Sequence, residues 1–182
     1  LGKTAEICDW LREFDGYIID PDVGNKRIAW DLMPRYWTAE SDYYDNKKWL
    51  KTPLMQSGNV REKYYGVCAG IDEITKKHGY VRNGNIYKVE RESRETVALF
   101  CHFGVECVIL SHLLGISPVI LWHNFCALPS SVTTLVTEER EQGKAAFRMC
   151  GFGDISHLYA GDEEPSFQAR FCETYSNFEE RH

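Results

Sequence analysis

His102 is the residue of this chain best placed to do chemistry. It sits in the stretch E-T-V-A-L-F-C-H-F-G-V-E, residues 95–106, where a short apolar run ends in the histidine and Gly104 opens a new helical pattern. The spacing predicts an imidazole at the C-terminal edge of a strand, beside the unpaired backbone N–H groups of a helix start. Such an edge is where open α/β sheets bind ligands, and the N–H groups there suit an anion such as phosphate. Phe103 and Gly104 would supply two of those groups, the glycine permitting close approach. A core histidine at a strand end is the competing reading of the same pattern. No matching upstream segment supplies a second histidine: the others are His78, His112, His123, His157 and His182.

The elements that would position this edge follow from periodicity. Residues 96–101 read as a buried strand, and residues 104–114 as a helix stopped by Gly115. Pro118 starts a short helix reaching Phe125. Upstream, Asn59 is expected to cap a helix in which Val60, Tyr64, Val67, Cys68, Ile71 and Ile74 recur at helical spacing, ending at Lys76-Lys77-His78-Gly79. Residues 80–89, with Asn83-Gly84 at the centre, predict a small hairpin, and residues 131–137 and 145–152 predict two strands joined by Glu141-Gln142-Gly143-Lys144. Residues 3–12 read as a short strand or turn. The segment 17–58 is aromatic and irregular, with a short helix expected near 38–49. Such an insertion forms either a lid or pocket wall, or a small core of its own. The tail after Gly161 is acidic and reads as irregular.

Composition bounds the function classes. The 182 residues are 43% apolar and 26% charged, enough for one ordinary globular domain. A formal net charge of −6 and a pI near 5.5 argue against non-specific nucleic-acid binding, although a local basic pocket remains compatible with them. The longest apolar stretch, residues 105–110, is too short to span a bilayer, and no secretory signal opens the sequence. The seven cysteines are odd in number and contain no C-x-x-C pair. Their apolar neighbours (Phe100-Cys101, Met149-Cys150, Phe171-Cys172) suggest buried free thiols, hence a reduced, cytoplasmic protein without a zinc site. No G-x-G-x-x-G or G-x-x-x-x-G-K-[ST] occurs, which weighs against nucleotide-binding and dehydrogenase classes.

Taken in order, Leu11-Arg12-Glu13 with Gly16, Cys101-His102-Phe103-Gly104 with its helix, the strand at 130–137, and Gly153-Asp154-Ile155-Ser156-His157-Leu158 resemble the histidine phosphatase superfamily, the phosphoglycerate mutase-like clan. The resemblance covers nearly the whole chain. It implies a three-layer α/β/α fold with a mostly parallel central sheet. It also implies phosphoryl transfer through a phosphohistidine. The family's nucleophile lies in an R-H-G motif, and an arginine from an S-P-x-x-R-A-type segment clamps the phosphate; neither motif occurs here. On this resemblance residues 1–182 form a single domain lacking its N-terminal part and first strand, with 17–58 as an insertion or lid. An exposed sheet edge and poor stability are then expected.

The resemblance also assigns roles. His102 would be the second histidine, donating to the phosphoryl oxygens as charge develops. Glu13 would be the general acid that protonates the leaving oxygen and later activates water. Without the resemblance, a glutamate after Leu-Arg is most simply a solvated loop charge. Arg12, Arg27 and Arg35 are candidate substrate-side cations or ordinary surface charges, and His123 and His157 stay outside the catalytic set. The expected activity is hydrolysis of a small phosphorylated metabolite, with a phosphoglycerate mutase-type isomerase or a non-catalytic phosphate-binding remnant as alternatives. Without its nucleophile, the chain alone is expected to be inactive. No cofactor, metal, nucleic acid or membrane partner is implied, and a homodimer is left open.

Overall fold

A computed structural model describes residues 2, 4–168 and 172–181, and the chain divides into two units. The first comprises Leu1–Asn124 with Glu138–Ala146, the second Phe125–Thr137 with Phe147–His182.

In the first unit a 3₁₀ turn, Asp9–Leu11, precedes a two-stranded hairpin, β1 (Tyr17–Ile19) and β2 (Lys26–Ile28). Short helices α1 (Pro34–Trp37) and α2 (Pro53–Gln56) follow, with 3₁₀ turns at Ser41–Tyr44 and Trp49–Lys51 between them. Each short helix begins at a proline, whose fixed φ suits a first helical position. The region expected to hold one helix near 38–49 therefore holds only single turns. Ser41, Asp42, Asp45 and Asn46 favour turns over continued helix there.

The long helix α3 (Val60–Lys77) follows the apolar spacing seen in the sequence. Val60, Tyr64, Val67, Cys68, Ile71 and Thr75 are buried along one face. Lys76 and Lys77 stand in its last turn, where cations complement the helix dipole. Asn59 does not cap the helix through its side chain. Its Oδ1 instead accepts the Tyr17 N–H at 2.9 Å, which ties β1 to the start of α3.

α4 (Phe103–Leu114) is buried on nearly all sides, with Val105, Cys107, Val108, Ile109, Leu110 and Leu113 in the core. Each such aliphatic side chain contributes roughly 1.5–3 kcal/mol on burial. Gly115 ends the helix at φ 71°, a left-handed conformation that a side chain would oppose. α5 (Pro118–Asn124) then packs back on α4. Aromatic rings fill the space between these helices. Trp49 meets Tyr64 edge-on at 5.0 Å and Trp122 at 5.7 Å, and Phe14 stacks on Trp122 at 5.4 Å. Tyr43 and Trp49, from the aromatic segment 17–58, thus belong to the core, at 2% and 1% exposure.

Strands β3 (Tyr80–Asn83) and β4 (Ile86–Val89) form the expected hairpin, with the turn one residue later than its sequence signal, at Gly84-Asn85. β5 (Val132–Glu141) and β6 (Lys144–Asp154) form a second hairpin. Its tip joins the first by Tyr87 opposite Ala145 and Lys88 opposite Lys144, giving the strand order β3-β4-β6-β5. The tip residues 138–146 belong to the first unit, and the remainder of both strands to the second.

In the second unit Phe125 meets Phe152 edge-on at 5.3 Å, and the Thr133 hydroxyl accepts the Gly153 N–H at 3.2 Å. A short helix α6 (Ser156–Ala160) follows, its start held by the Asp154 carboxylate on the Ser156 N–H. The tail expected to be irregular contains an antiparallel pair, β7 (Cys172–Thr174) and β8 (Asn177–Arg181).

These topologies overturn the expected architecture. The chain is mixed α/β with small antiparallel sheets, and no mostly parallel central sheet is present among the described residues. The physical reason lies in the connections: short turns join β1 to β2, β3 to β4, β5 to β6 and β7 to β8, which makes each hairpin antiparallel. β4 also meets β6 antiparallel, at the tip of the second hairpin. The run 96–101, expected as a buried strand, pairs with no strand among the described residues. Val97 is 44% and Phe100 87% exposed, so its apolar character does not translate into burial. Cys101 and Cys150 are likewise exposed, whereas Cys68 and Cys107 are buried. Alternate residues of an extended segment face opposite ways, so an apolar neighbour in sequence does not guarantee a buried thiol.

Candidate functional site

His102 is the N-cap residue of α4, with extended backbone at φ −115° and ψ 167° and an exposed side chain. Its carbonyl accepts the Glu106 N–H at 3.0 Å, the first bond of the helix, and its side chain caps nothing. The N–H groups of the first turn are therefore available to other acceptors. Glu13 takes two of them. Its carboxylate accepts the Val105 N–H at 3.1 Å and the Gly104 N–H at 3.4 Å, across 92 and 91 residues of sequence. It also accepts the Phe14 N–H at 2.6 Å. A carboxylate at a helix N-terminus is favoured by the dipole as well as by the hydrogen bonds.

Gly104 is required here by space. A Cβ at this position would lie 2.6 Å from Glu13 Oε1 and 2.7 Å from Trp30 Nε1. Two indoles fix the surroundings: Trp30 donates Nε1–H to the Phe14 carbonyl at 3.0 Å, and Trp122 donates Nε1–H to the Gly104 carbonyl at 3.0 Å. The backbone on both sides of the Glu13 contact is thereby held in place.

The candidate residues His102, Phe103, Gly104 and Glu13 thus converge on one helix start. Glu13 bonds the turn that His102 begins rather than the imidazole itself. Its other side lines a cleft of about 420 Å³, with Trp10, Arg12, Phe14, Lys63 and Val67. The cations of that cleft are already paired, Arg12 with Asp9 at 3.0 Å and Lys63 with Asp15 at 2.8 Å.

Neither family models, nor curated proteins, nor solved structures yield a match to this chain.

The remaining candidates are engaged elsewhere. Arg27 pairs with Asp20 at 2.5 Å, and Arg35 pairs with Asp22. The Asp22 N–H and then Arg27 hold the Asp20 carboxyl below the usual range. His123 is a structural residue. Its Nδ1 lies 2.8 Å from the Val119 carbonyl, and its Nε2 accepts the Leu32 N–H at 3.1 Å. A carbonyl can only accept and an N–H can only donate, so the ring is neutral with its proton on Nδ1. Burial pushes its pKa below the ordinary histidine value. His157 lies exposed in α6 of the second unit. Among the described residues, no three His, Cys, Asp or Glu side chains converge as a metal-ligand group.

Sequence reasoning missed Trp30 and the Val105 N–H. An indole that packs against a distant glycine leaves no periodic signal, and a backbone donor has no residue type to recognise. The helical start at Phe103-Gly104 was the one clue to that N–H.

Proposed function

We propose that this chain supplies the acid and second-histidine half of a phosphohistidine phosphoryl-transfer site, which hydrolyses a small phosphorylated metabolite only when a nucleophilic histidine completes it. The observation that carries the reading is the Glu13 carboxylate on the Gly104 and Val105 N–H groups, one turn from His102. An acidic side chain and an imidazole, far apart in sequence, share one anion-favouring helix start.

In this reading a phosphoryl group docks at the start of α4, its oxygens taking N–H donors from Phe103 and from the His102 ring. Glu13 withdraws from the helix, takes a proton from solvent and passes it to the leaving ester oxygen. The P–O bond breaks as an N–P bond forms to a nucleophilic histidine; water then attacks phosphorus while Glu13 takes its proton, the N–P bond breaks to free the histidine, and inorganic phosphate leaves. No Arg-His-Gly sequence occurs in these 182 residues, so the nucleophile is not assigned to any of the six histidines. The chain by itself is accordingly a phosphate binder rather than a catalyst.

The test is a titration with inorganic phosphate followed on the His102 ring signals by NMR, with p-nitrophenyl phosphate turnover measured in parallel. Saturable movement of the His102 signals, lost in Phe103→Pro, which removes the N–H donor, supports the reading. A flat response overturns it. Turnover by this chain that survives His102→Ala and Glu13→Ala would also overturn the assignment of roles.

A further inference from the structure

A second cavity, of about 260 Å³, lies in the first unit at the opposite end of α4. α4 has 12 residues, so at 1.5 Å per residue this end is about 18 Å from His102. The cavity is bounded by α3, the β3–β4 hairpin, the end of α4 and the turn at Asn46-Lys47. Its described lining contains Lys47, Arg82 and His112 but no carboxylate.

The state of the two cations is what makes this lining informative. The Arg82 guanidinium donates to neutral oxygens: the Gly84 carbonyl at 2.6 Å, the Tyr87 hydroxyl at 2.9 Å and the His112 carbonyl at 3.0 Å. These bonds hold its position without neutralising its charge, and they use Nε and Nη1 only. Lys47 is exposed, and among the described residues its ammonium has no carboxylate within ion-pair distance. Two acids bonded to lining residues do not themselves line the cavity: Asp45, which accepts the Lys47 N–H at 2.8 Å, and Asp72. Asp72 is engaged by the His112 Nε2 at 2.9 Å and by the Tyr87 hydroxyl at 3.1 Å.

The negative end of a helix would ordinarily repel an anion. Here three carbonyls at this end are occupied. Ser111 accepts the Gly115 N–H, His112 accepts Arg82, and Gly115 accepts the Asn46 side-chain amide at 2.7 Å. Asn85 adds a further amide to the rim, and the Tyr65 ring, 53% exposed, forms a wall against which the body of a ligand can lie.

We infer that this cavity binds the anionic group of a small molecule, a phosphate or a carboxylate, at a site separate from the start of α4. Arg82 is the fixed anchor, and Lys47 closes over the ligand.

The experiment uses the uniformly ¹⁵N-labelled chain, titrated with sodium phosphate and, separately, with sodium acetate at constant ionic strength. The Asn46 and Asn85 side-chain amides and the Gly115 backbone amide are the reporters. Saturable shifts with phosphate assign the phosphate-bearing class, and saturable shifts with acetate the carboxylate-bearing class. Loss of one charge-assisted contact weakens binding about tenfold in Lys47→Gln, while Lys47→Arg retains it. Lys47 is exposed, so neither variant threatens the fold. His102→Ala leaves these shifts unchanged. Linear shifts with both anions, equal affinity in Lys47→Gln, or loss of the shifts in His102→Ala would each overturn the inference.

Discussion

Glu13 reaches the Val105 N–H at 3.1 Å, so one carboxylate closes the first turn of the buried helix α4 from the far end of the sequence. Glu13→Gln keeps an oxygen acceptor but removes the charge that the helix dipole favours. The expected loss is about 0.3–1 kcal/mol of unfolding free energy, shrinking as salt is added. Urea denaturation at low and high ionic strength checks this. An unchanged midpoint at low salt would mean that the dipole contribution is absent.

Gly104→Ala places a methyl group against the Glu13 carboxylate and the Trp30 indole, both closer than a Cβ tolerates. The expected cost is about 1–3 kcal/mol, as for other overpacked sites. The change should also be visible in the Trp30 indole N–H resonance, which reports the bond to the Phe14 carbonyl. A stable variant with that resonance unmoved would count against the close approach.

His123 makes stability depend on pH. Its folded-state pKa is lowered by burial, so below the unfolded value of about 6.5 the unfolded chain binds more protons. Stability therefore falls as pH drops through that value, and the fall ends once the folded ring itself protonates. Protonation would also set an Nε2–H against the Leu32 N–H that it now accepts. Denaturation midpoints at pH 7.5 and 5.5 should differ more in the native chain than in His123→Gln. Equal differences would refute the assignment.

Trp49 is 1% exposed and touches both Tyr64 and Trp122, so Trp49→Ala should cost about 3–5 kcal/mol. Thermal unfolding is the direct measurement. A loss below about 1 kcal/mol, the range of ordinary surface substitutions and a little more, would mean that the aromatic segment is not part of the core.

How far these features were legible in the residues depends on whether a local signal existed. α3, α4 and the two hairpins carried one: apolar spacing, Gly115 as a stop, and Gly84 or Gly143 in a turn. The helix start at His102-Phe103-Gly104 could be read for the same reason. The pairing of strands could not. The run 96–101 has strand-like residues, yet strand character is completed only by a neighbour, and it has none among the described residues. The role of Trp49 was equally hidden, because an indole among aspartates and prolines gives no period from which to infer its core position. Glu13 reached the helix start only through a resemblance, since a contact across 92 residues leaves no trace in spacing.

The Glu13 carboxylate, on the Gly104 and Val105 N–H groups, joins its segment of chain to the start of α4, while the indole bonds from Trp30 to the Phe14 carbonyl and from Trp122 to the Gly104 carbonyl brace the two sides separately. The two Glu13 bonds cannot form in a locally folded fragment, because they close loops of 91 and 92 residues. The acid and the helix start should consequently assemble late and disassemble together, which makes slow hydrogen–deuterium exchange at Val105 a gauge of whether the whole first unit is intact.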